Sequence, residues 1–300
     1  MKKILIVGTG ALATLFAARL AAAGVGITIL GTWEQAIQAF NREGARLSLP
    51  DGSTLQVGVR ATNDLRVIEK IDLALVLVKS WQTARAASML AEVLAVDGLA
   101  LTLQNGLGNR ETLAASLGEQ RVALGVTTTG ATLLGPGQAR VGGEGSVSLE
   151  RHPRSREVSE LLQAAGMRVD VVPDANALLW GKLVVNAAIN PLTAILRVTN
   201  GVLLERPSAR RLMASLARET AAVASALQIK LPFNDPVEMA EDVARRTAAN
   251  RSSMLQDVER AAPTEIDAIC GAVVRTGAER GVPAPVNWTM WQLVNALNSA

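Results

Sequence analysis

Along the first half of the chain, short aliphatic runs recur between amphipathic stretches. Lys2 to Val7, Gly26 to Leu30, Asp72 to Val78 and Leu99 to Leu103 are four such runs, and Val122 to Thr129 is a fifth. Apolar runs of this length with little polar alternation predict parallel strands covered on both faces. Arg46 to Leu49 and Thr54 to Val59 flank Pro50-Asp51-Gly52-Ser53, a turn that predicts a hairpin, and Leu134-Gly135-Pro136-Gly137 joins another pair of short strands. Ser155 to Ala165 is helical and Arg168 to Val172 is a last strand. From Asp174 onward the pattern becomes helical, with Gly or Pro breaks near 201, 207, 232 and 281 to 285.

One helical stretch, residues 179 to 195, is apolar except for Lys182, Asn186 and Asn190. Their spacing of four places them along one face, each about a turn beyond the last. A buried polar stripe needs partners. It either caps carbonyls and faces water, or forms a wall of hydrogen-bond donors for a small polar ligand with Lys182 as a proton donor.

The first strand runs into Gly8-Thr9-Gly10-Ala11-Leu12-Ala13 and an alanine-rich helix over Thr14 to Ala23. This strand, glycine turn and helix match G-x-G-x-x-G/A: Gly8 for the tight turn, Gly10 for close approach to a pyrophosphate, Ala13 for helix packing. The helix N-terminus offers N–H groups to phosphates. The pattern as a whole predicts an α/β fold. A Rossmann-like doubly wound sheet spans 1–172 as the dinucleotide-binding domain, and an all-helical domain at 173–300 takes the substrate and the catalysis.

The second strand ends in Gly31-Thr32-Trp33, with no carboxylate to grip a ribose 2′-hydroxyl. Thr32 and backbone N–H groups suit a 2′-phosphate, so NADP(H) is the expected cofactor. NAD(H) stays open, because Glu34 is near and no arginine is present at the strand end. Lys79 and Asn105 each follow the carboxyl end of a strand, where open α/β sheets bind ligands.

Composition narrows the alternatives. With 49% hydrophobic and 19% charged residues, the chain reads as a soluble globular protein without membrane spans. The apolar start meets a glycine turn too early for a signal peptide, so a cytoplasmic location is expected. Cys270 and His152 are the only cysteine and histidine, so no intrachain disulfide, zinc site or serine-type triad can be assembled. A net charge of +3, no Tyr and three Phe give little footing for nucleic acid.

Farther on, Ser252 and Ser253 stand before a helix, and Thr264-Glu265-Ile266-Asp267 has the form of a capping box that puts Glu265 in a first helical turn. Together with Gly8 to Leu12, Lys79-Ser80-Trp81-Gln82, Asn105-Gly106, Lys182, Asn186, Asn190-Pro191-Leu192-Thr193-Ala194, Asn200-Gly201 and Ser252 to Asp257, these pieces resemble the ketopantoate reductases over essentially the whole chain. The resemblance implies NADPH-dependent reduction of 2-dehydropantoate to pantoate, on the route to coenzyme A. It also implies that Lys182 is the proton donor, that Asn186, Asn190, Asn200 and Ser253 hold the substrate, and that Asn105 and Glu265 contribute to the ternary complex. The partner is then a small 2-oxo acid, with a homodimer left open. A 3-hydroxyacid dehydrogenase with a similar Lys-x-x-x-Asn site is the rival enzyme, and a non-catalytic NADP sensor is the rival of another class.

Overall fold

The computed structural model describes residues 3–143 and 145–298. The chain divides into two compact units. One runs to Gln104 and resumes over Asn109–Ala175, and the other combines Asn105–Gly108 with everything from Asn176 on.

The first unit is built on an eight-stranded sheet. Its strands are β1 (Ile4–Val7), β2 (Ile27–Leu30), β5 (Arg60–Thr62), β6 (Ile71–Val76), β7 (Leu94–Thr102), β8 (Val122–Thr127), β11 (Ser146–Glu150) and β12 (Arg168–Val172). The spatial order is β12-β11-β8-β7-β6-β1-β2-β5, parallel throughout except where β11 meets β8. Every residue of β1 is buried, as a strand flanked on both edges and covered on both faces requires. The order reverses beside β1, with β2 on one edge and β6 on the other. That switch point opens a crevice at the strands' carboxyl ends.

Helices α1 (Ala11–Ala22), α2 (Glu34–Glu43), α3 (Thr83–Val93), α4 (Asn109–Leu117) and α5 (Ser155–Ala164) complete the winding. The expected hairpins form a second, four-stranded sheet. In it β3 (Ala45–Ser48) pairs antiparallel with β4 (Thr54–Val57), and β9 (Gly130–Gly135) with β10 (Gln138–Gly143).

The second unit is helical: α6 (Asn176–Leu196), α7 (Val202–Glu205), α8 (Pro207–Ala226), α9 (Pro236–Arg246), α10 (Ser253–Glu259), α11 (Cys270–Glu279) and α12 (Pro285–Asn298). Helix α6 packs against α8, α9, α10 and α12. Its 21 residues, at a hydropathy of 1.3, are long and apolar enough to cross a bilayer, yet 67% of that window is buried within the protein. That is the setting of a core helix.

Pro191 lies inside α6 and cannot donate to the carbonyl four residues back. Just beyond it, the Thr193 hydroxyl is within hydrogen-bond reach of the Ile189 and Asn190 carbonyls and of Ser252 Oγ on the approach to α10.

One local expectation is corrected. Glu265 lies at a bend, residues 266–269 form a turn and helix α11 starts only at Cys270, so Glu265 is not in a first helical turn. The Thr264 hydroxyl accepts from Ile266 N at 3.4 Å, a local turn that competes with the helix cap.

Candidate active site

In the second unit, the polar stripe of α6 meets a carboxylate. Lys182 is half-buried, and Glu265 is 5% exposed. Burial pushes the Lys182 ammonium down from its ordinary 10.5 to about 8, and the Glu265 charge opposes that shift. Desolvation therefore outweighs attraction here.

Asn105 joins them from 160 residues away, its Nδ2 donating to Glu265 Oε2 at 3.2 Å. The short loop that carries Asn105 is fastened to the same turn by Leu107 N donating to the Ala268 carbonyl at 2.9 Å. Gly106 has φ +78°, and a Cβ there would stand 2.5 Å from that carbonyl oxygen, so no other residue fits the docking. Lys182, Glu265 and Asn105 thus form one cluster.

Asn186 is half-buried and Asn190 buried, both on the α6 stripe. Asn200 donates from Nδ2 to Thr247 Oγ1 at 2.9 Å, while its backbone N–H reaches the Asn250 carbonyl at 3.0 Å. Its Oδ1 is buried with no hydrogen-bond partner among the described residues. Buried acceptors of this kind are ordinarily paired with protein or ordered water, and Asn287 Oδ1 is in the same state.

The adjacent serines separate. Ser252 caps α10, accepting from Leu255 N at 3.0 Å and from Thr193 Oγ1 at 2.7 Å, whereas Ser253 is the exposed first residue of that helix. No spacing signal distinguished the two. The structure does not bring Asn200 or Ser253 into the hydrogen bonds of the Lys182 cluster.

In the first unit the glycine turn leaves its backbone uncovered. Gly8 has φ +132°, and a Cβ on it would lie 3.0 Å from the Leu77 carbonyl, so both conformation and space demand glycine. Its N–H donates to the Leu30 carbonyl at 2.8 Å. Gly10 is the N-cap of α1 with no side-chain cap, and a Cβ there would meet nothing within 4 Å. The helix end is open, and its first-turn N–H groups suit an anion. Ala13 is fully buried, while Ala11 and Leu12 are half-buried.

Thr9 explains the bare strand end. A Cβ on Gly31 would sit 2.3 Å from Thr9 Cγ2, so Thr9 fills the place of a side chain at 31. Thr32 beyond it is exposed. The Glu34 carboxylate accepts from Gln38 at 3.1 Å and Asn63 at 3.2 Å. Lys79 is half-buried and precedes a single 3₁₀ turn over Ser80–Gln82. A dinucleotide fits this donor set: an open helix end, a required glycine at Gly8 and a lysine after a neighbouring strand.

Among the described residues no cluster of three or more His, Cys, Asp or Glu is placed to hold a metal ion. Two residues behind these turns, Thr83 and Gln104, were not singled out from sequence. Gln104 stands directly before Asn105, the one signal that pointed to it.

Comparison with known proteins accounts for both units. Residues 4–154 match the family described as Ketopantoate reductase PanE/ApbA, and residues 174–298 match Ketopantoate reductase PanE/ApbA C terminal. The 2-dehydropantoate 2-reductase of Archaeoglobus fulgidus is 37% identical over 304 residues, covering 100% of this chain and 99% of that one. A crystal structure of a PanE/ApbA family ketopantoate reductase from Ralstonia eutropha JMP134 superposes with a TM-score of 0.92 at 33% identity, covering 99% of this chain and 98% of that chain. D-mandelate dehydrogenase, solved with NADH and anilino(oxo)acetate, gives a TM-score of 0.92 at 25% identity, again over 99% and 98%. The glycine turn and the lysine-bearing helix lie within the two matched stretches. The chain belongs to the ketopantoate reductase family, a family of oxidoreductases.

Proposed function

We propose that this protein reduces 2-dehydropantoate to pantoate with NADPH, as a step toward pantothenate and coenzyme A. The observation that carries the proposal is the Lys182, Glu265 and Asn105 cluster on the polar face of a core helix. Residues 1–172 serve as the cofactor domain and 173–300 as the substrate and catalytic domain. Gly8, Thr9, Gly10, Ala11, Leu12 and Ala13 cradle the pyrophosphate, Thr32 meets the ribose side, and Lys79, Asn105 and Glu265 complete the cofactor contacts.

When bound, a nicotinamide cofactor would supply hydride-transfer chemistry at the substrate's carbonyl carbon. The chain's task is the negative charge that grows on the carbonyl oxygen, and Lys182 delivers a proton to it from Nζ. With its pKa near 8, Lys182 is mostly protonated at neutral pH yet a better acid than an exposed lysine. Glu265 keeps that value from falling further, and Asn105 orients Glu265. Asn186, Asn190, Asn200 and Ser253 hold the substrate's carboxylate and hydroxyl. The empty Asn200 Oδ1 is suited to accept from the hydroxyl.

A second reading, another 2-oxo acid reduced with NADH, is favoured by the absence of a cation at Gly31-Thr32. The mandelate dehydrogenase neighbour, with its bound NADH, points the same way. The engaged Glu34 counts against it, since that carboxylate is already bonded to Asn63 and Gln38. One assay separates them: oxidation of NADPH and of NADH followed in parallel with ketopantoate and a panel of 2-oxo acids. Turnover confined to another acid keeps the mechanism and changes the substrate, and no oxidation with any acid overturns the reductase reading.

A further inference from the structure

Lys79 and Asn105 sit in turns that follow neighbouring strands, β6 and β7. Behind those turns lies a group of four polar side chains in the first unit: Thr83, Thr102, Gln104 and Asn109, exposed 2%, 1%, 7% and 6%. Gln104 Nε2 donates to the Val78 carbonyl at 3.0 Å and to the Thr83 hydroxyl at 2.8 Å, and its Oε1 accepts from the Thr102 hydroxyl at 2.9 Å. Both amide protons and the amide oxygen are used. The amide has one orientation, because turning it over would set its oxygen against the Val78 carbonyl oxygen.

Having accepted from Gln104, the Thr83 hydroxyl reaches the Ser80 carbonyl and Asn109 Oδ1, each at 2.8 Å, sharing its one proton between them. The partners of these two side chains are not scattered. Val78 precedes Lys79 and Ser80 follows it, while Gln104 precedes Asn105 and Asn109 closes the 105–108 loop. One buried junction therefore touches both sides of the Lys79 turn and both roots of the Asn105 loop.

We infer that Thr83 and Gln104 are positioning residues, holding the Lys79 turn and the two roots of the Asn105 loop in one fixed frame. The inference rests on the reading above, in which Lys79 and Asn105 serve cofactor and substrate. A merely structural brace would contribute stability and nothing else. In a positioning role, a hydroxyl that touches no ligand sets the geometry of residues that do. Fully satisfied buried networks of this kind rigidify what they join.

The test uses the whole enzyme with Thr83→Val, which keeps the shape and deletes the hydroxyl, and Thr83→Ser, which restores it. Three readouts are taken: kcat and KM with ketopantoate and NADPH, melting temperature, and hydrogen exchange by mass spectrometry. Thr83→Val is expected to lower kcat about tenfold and to speed exchange in segments 77–82 and 102–110 with the rest unchanged, while Thr83→Ser returns both to wild type.

A lower melting temperature with unchanged kcat and KM, or exchange raised evenly over the chain, overturns the inference. So does a Thr83→Ser protein that behaves like Thr83→Val. If Thr83→Val does not fold, Thr102→Val strips one bond from Gln104 and is expected to raise exchange in the same two segments. Unchanged exchange there overturns the inference equally. If wild type oxidises NADPH with no 2-oxo acid, the reductase reading falls, and the exchange comparison alone decides whether Thr83 holds these turns.

Discussion

At the glycine turn the surface offered to a ligand is backbone, and on α6 it is side chain. Gly8 is bare because its φ of +132° and the Leu77 carbonyl 3.0 Å from a would-be Cβ leave no alternative. On the proposed function the same bareness makes the cradle, so folding and binding ask one thing of the sequence there. On α6 they ask opposite things. Burial that drives Lys182 to about 8 also means that the protonated lysine destabilises the fold. A ligand surface made of backbone is stable by the same features that make it work; one made of ionised side chains is held against a cost.

Substitutions can break that contrast, and the largest effect is expected at Lys182. Lys182→Ala should lower kcat by about a thousandfold, in the range for loss of a general acid. The dissociation constant for NADPH, read by titration calorimetry, should stay within a few-fold of wild type. Turnover near wild type would remove Lys182 from the chemistry.

Gly8→Ala comes next. It forces a side chain into a left-handed position and against backbone, so cofactor affinity should fall about a hundredfold together with a stability loss of about 2 kcal/mol. Chemical denaturation and calorimetry on one sample check that the two losses travel together. A Gly8→Ala protein of normal stability that no longer binds would show the cradle to be separable from the fold.

A smaller effect belongs to Glu265→Gln. The Glu265 charge raises the Lys182 pKa against the larger effect of burial. Removing it should move the alkaline limb of the kcat profile to lower pH, by about one unit. A limb that stays in place would mean that Glu265 serves shape alone.

Both regions left traces in the sequence, of different kinds. The apolar runs gave the strands, because a strand buried on both faces has no room for polar alternation. The hairpins followed from Pro50-Asp51-Gly52 and from Pro136-Gly137, whose turn chemistry is local. The stripe of α6 was visible as an exception to an apolar helix.

What stayed hidden depends on distance along the chain. The Asn105 to Glu265 bond spans 160 residues, and the docking of Gly106 under the Ala268 carbonyl is a tertiary fact with no local mark. Thr264 misled for a different reason. A threonine before a run of turns and one before a helix look alike, and only packing decides whether the hydroxyl serves Ile266 locally or caps a longer helix. The network through Gln104 was hidden twice over, since its partners lie 21 and 26 residues away and glutamine is ordinarily a surface residue.

A stability measurement reads the cost at Lys182 directly. Below about pH 8 both the folded and the unfolded chain hold the Lys182 proton, and the burial cost is present in full. Between about 8 and 10.5 the unfolded chain alone holds it, so this group's contribution to stability rises with pH across that window. The rise amounts to about 3 kcal/mol when the window is crossed completely.

Lys182→Met removes the titrating group and should be the more stable protein at pH 7, with its lead shrinking toward pH 10. The Cys270 thiol, pushed up by burial first and by the Glu219 charge second, acts in the opposite sense at high pH. It is present in both proteins and cancels in their difference. Melting temperatures of the pair between pH 7 and 10 therefore isolate the lysine. A lead that shrinks with pH shows a folded chain carrying a protonated Lys182 at a cost. A constant lead would place the ammonium in water, where neither the lowered pKa nor the contrast with the glycine turn could hold.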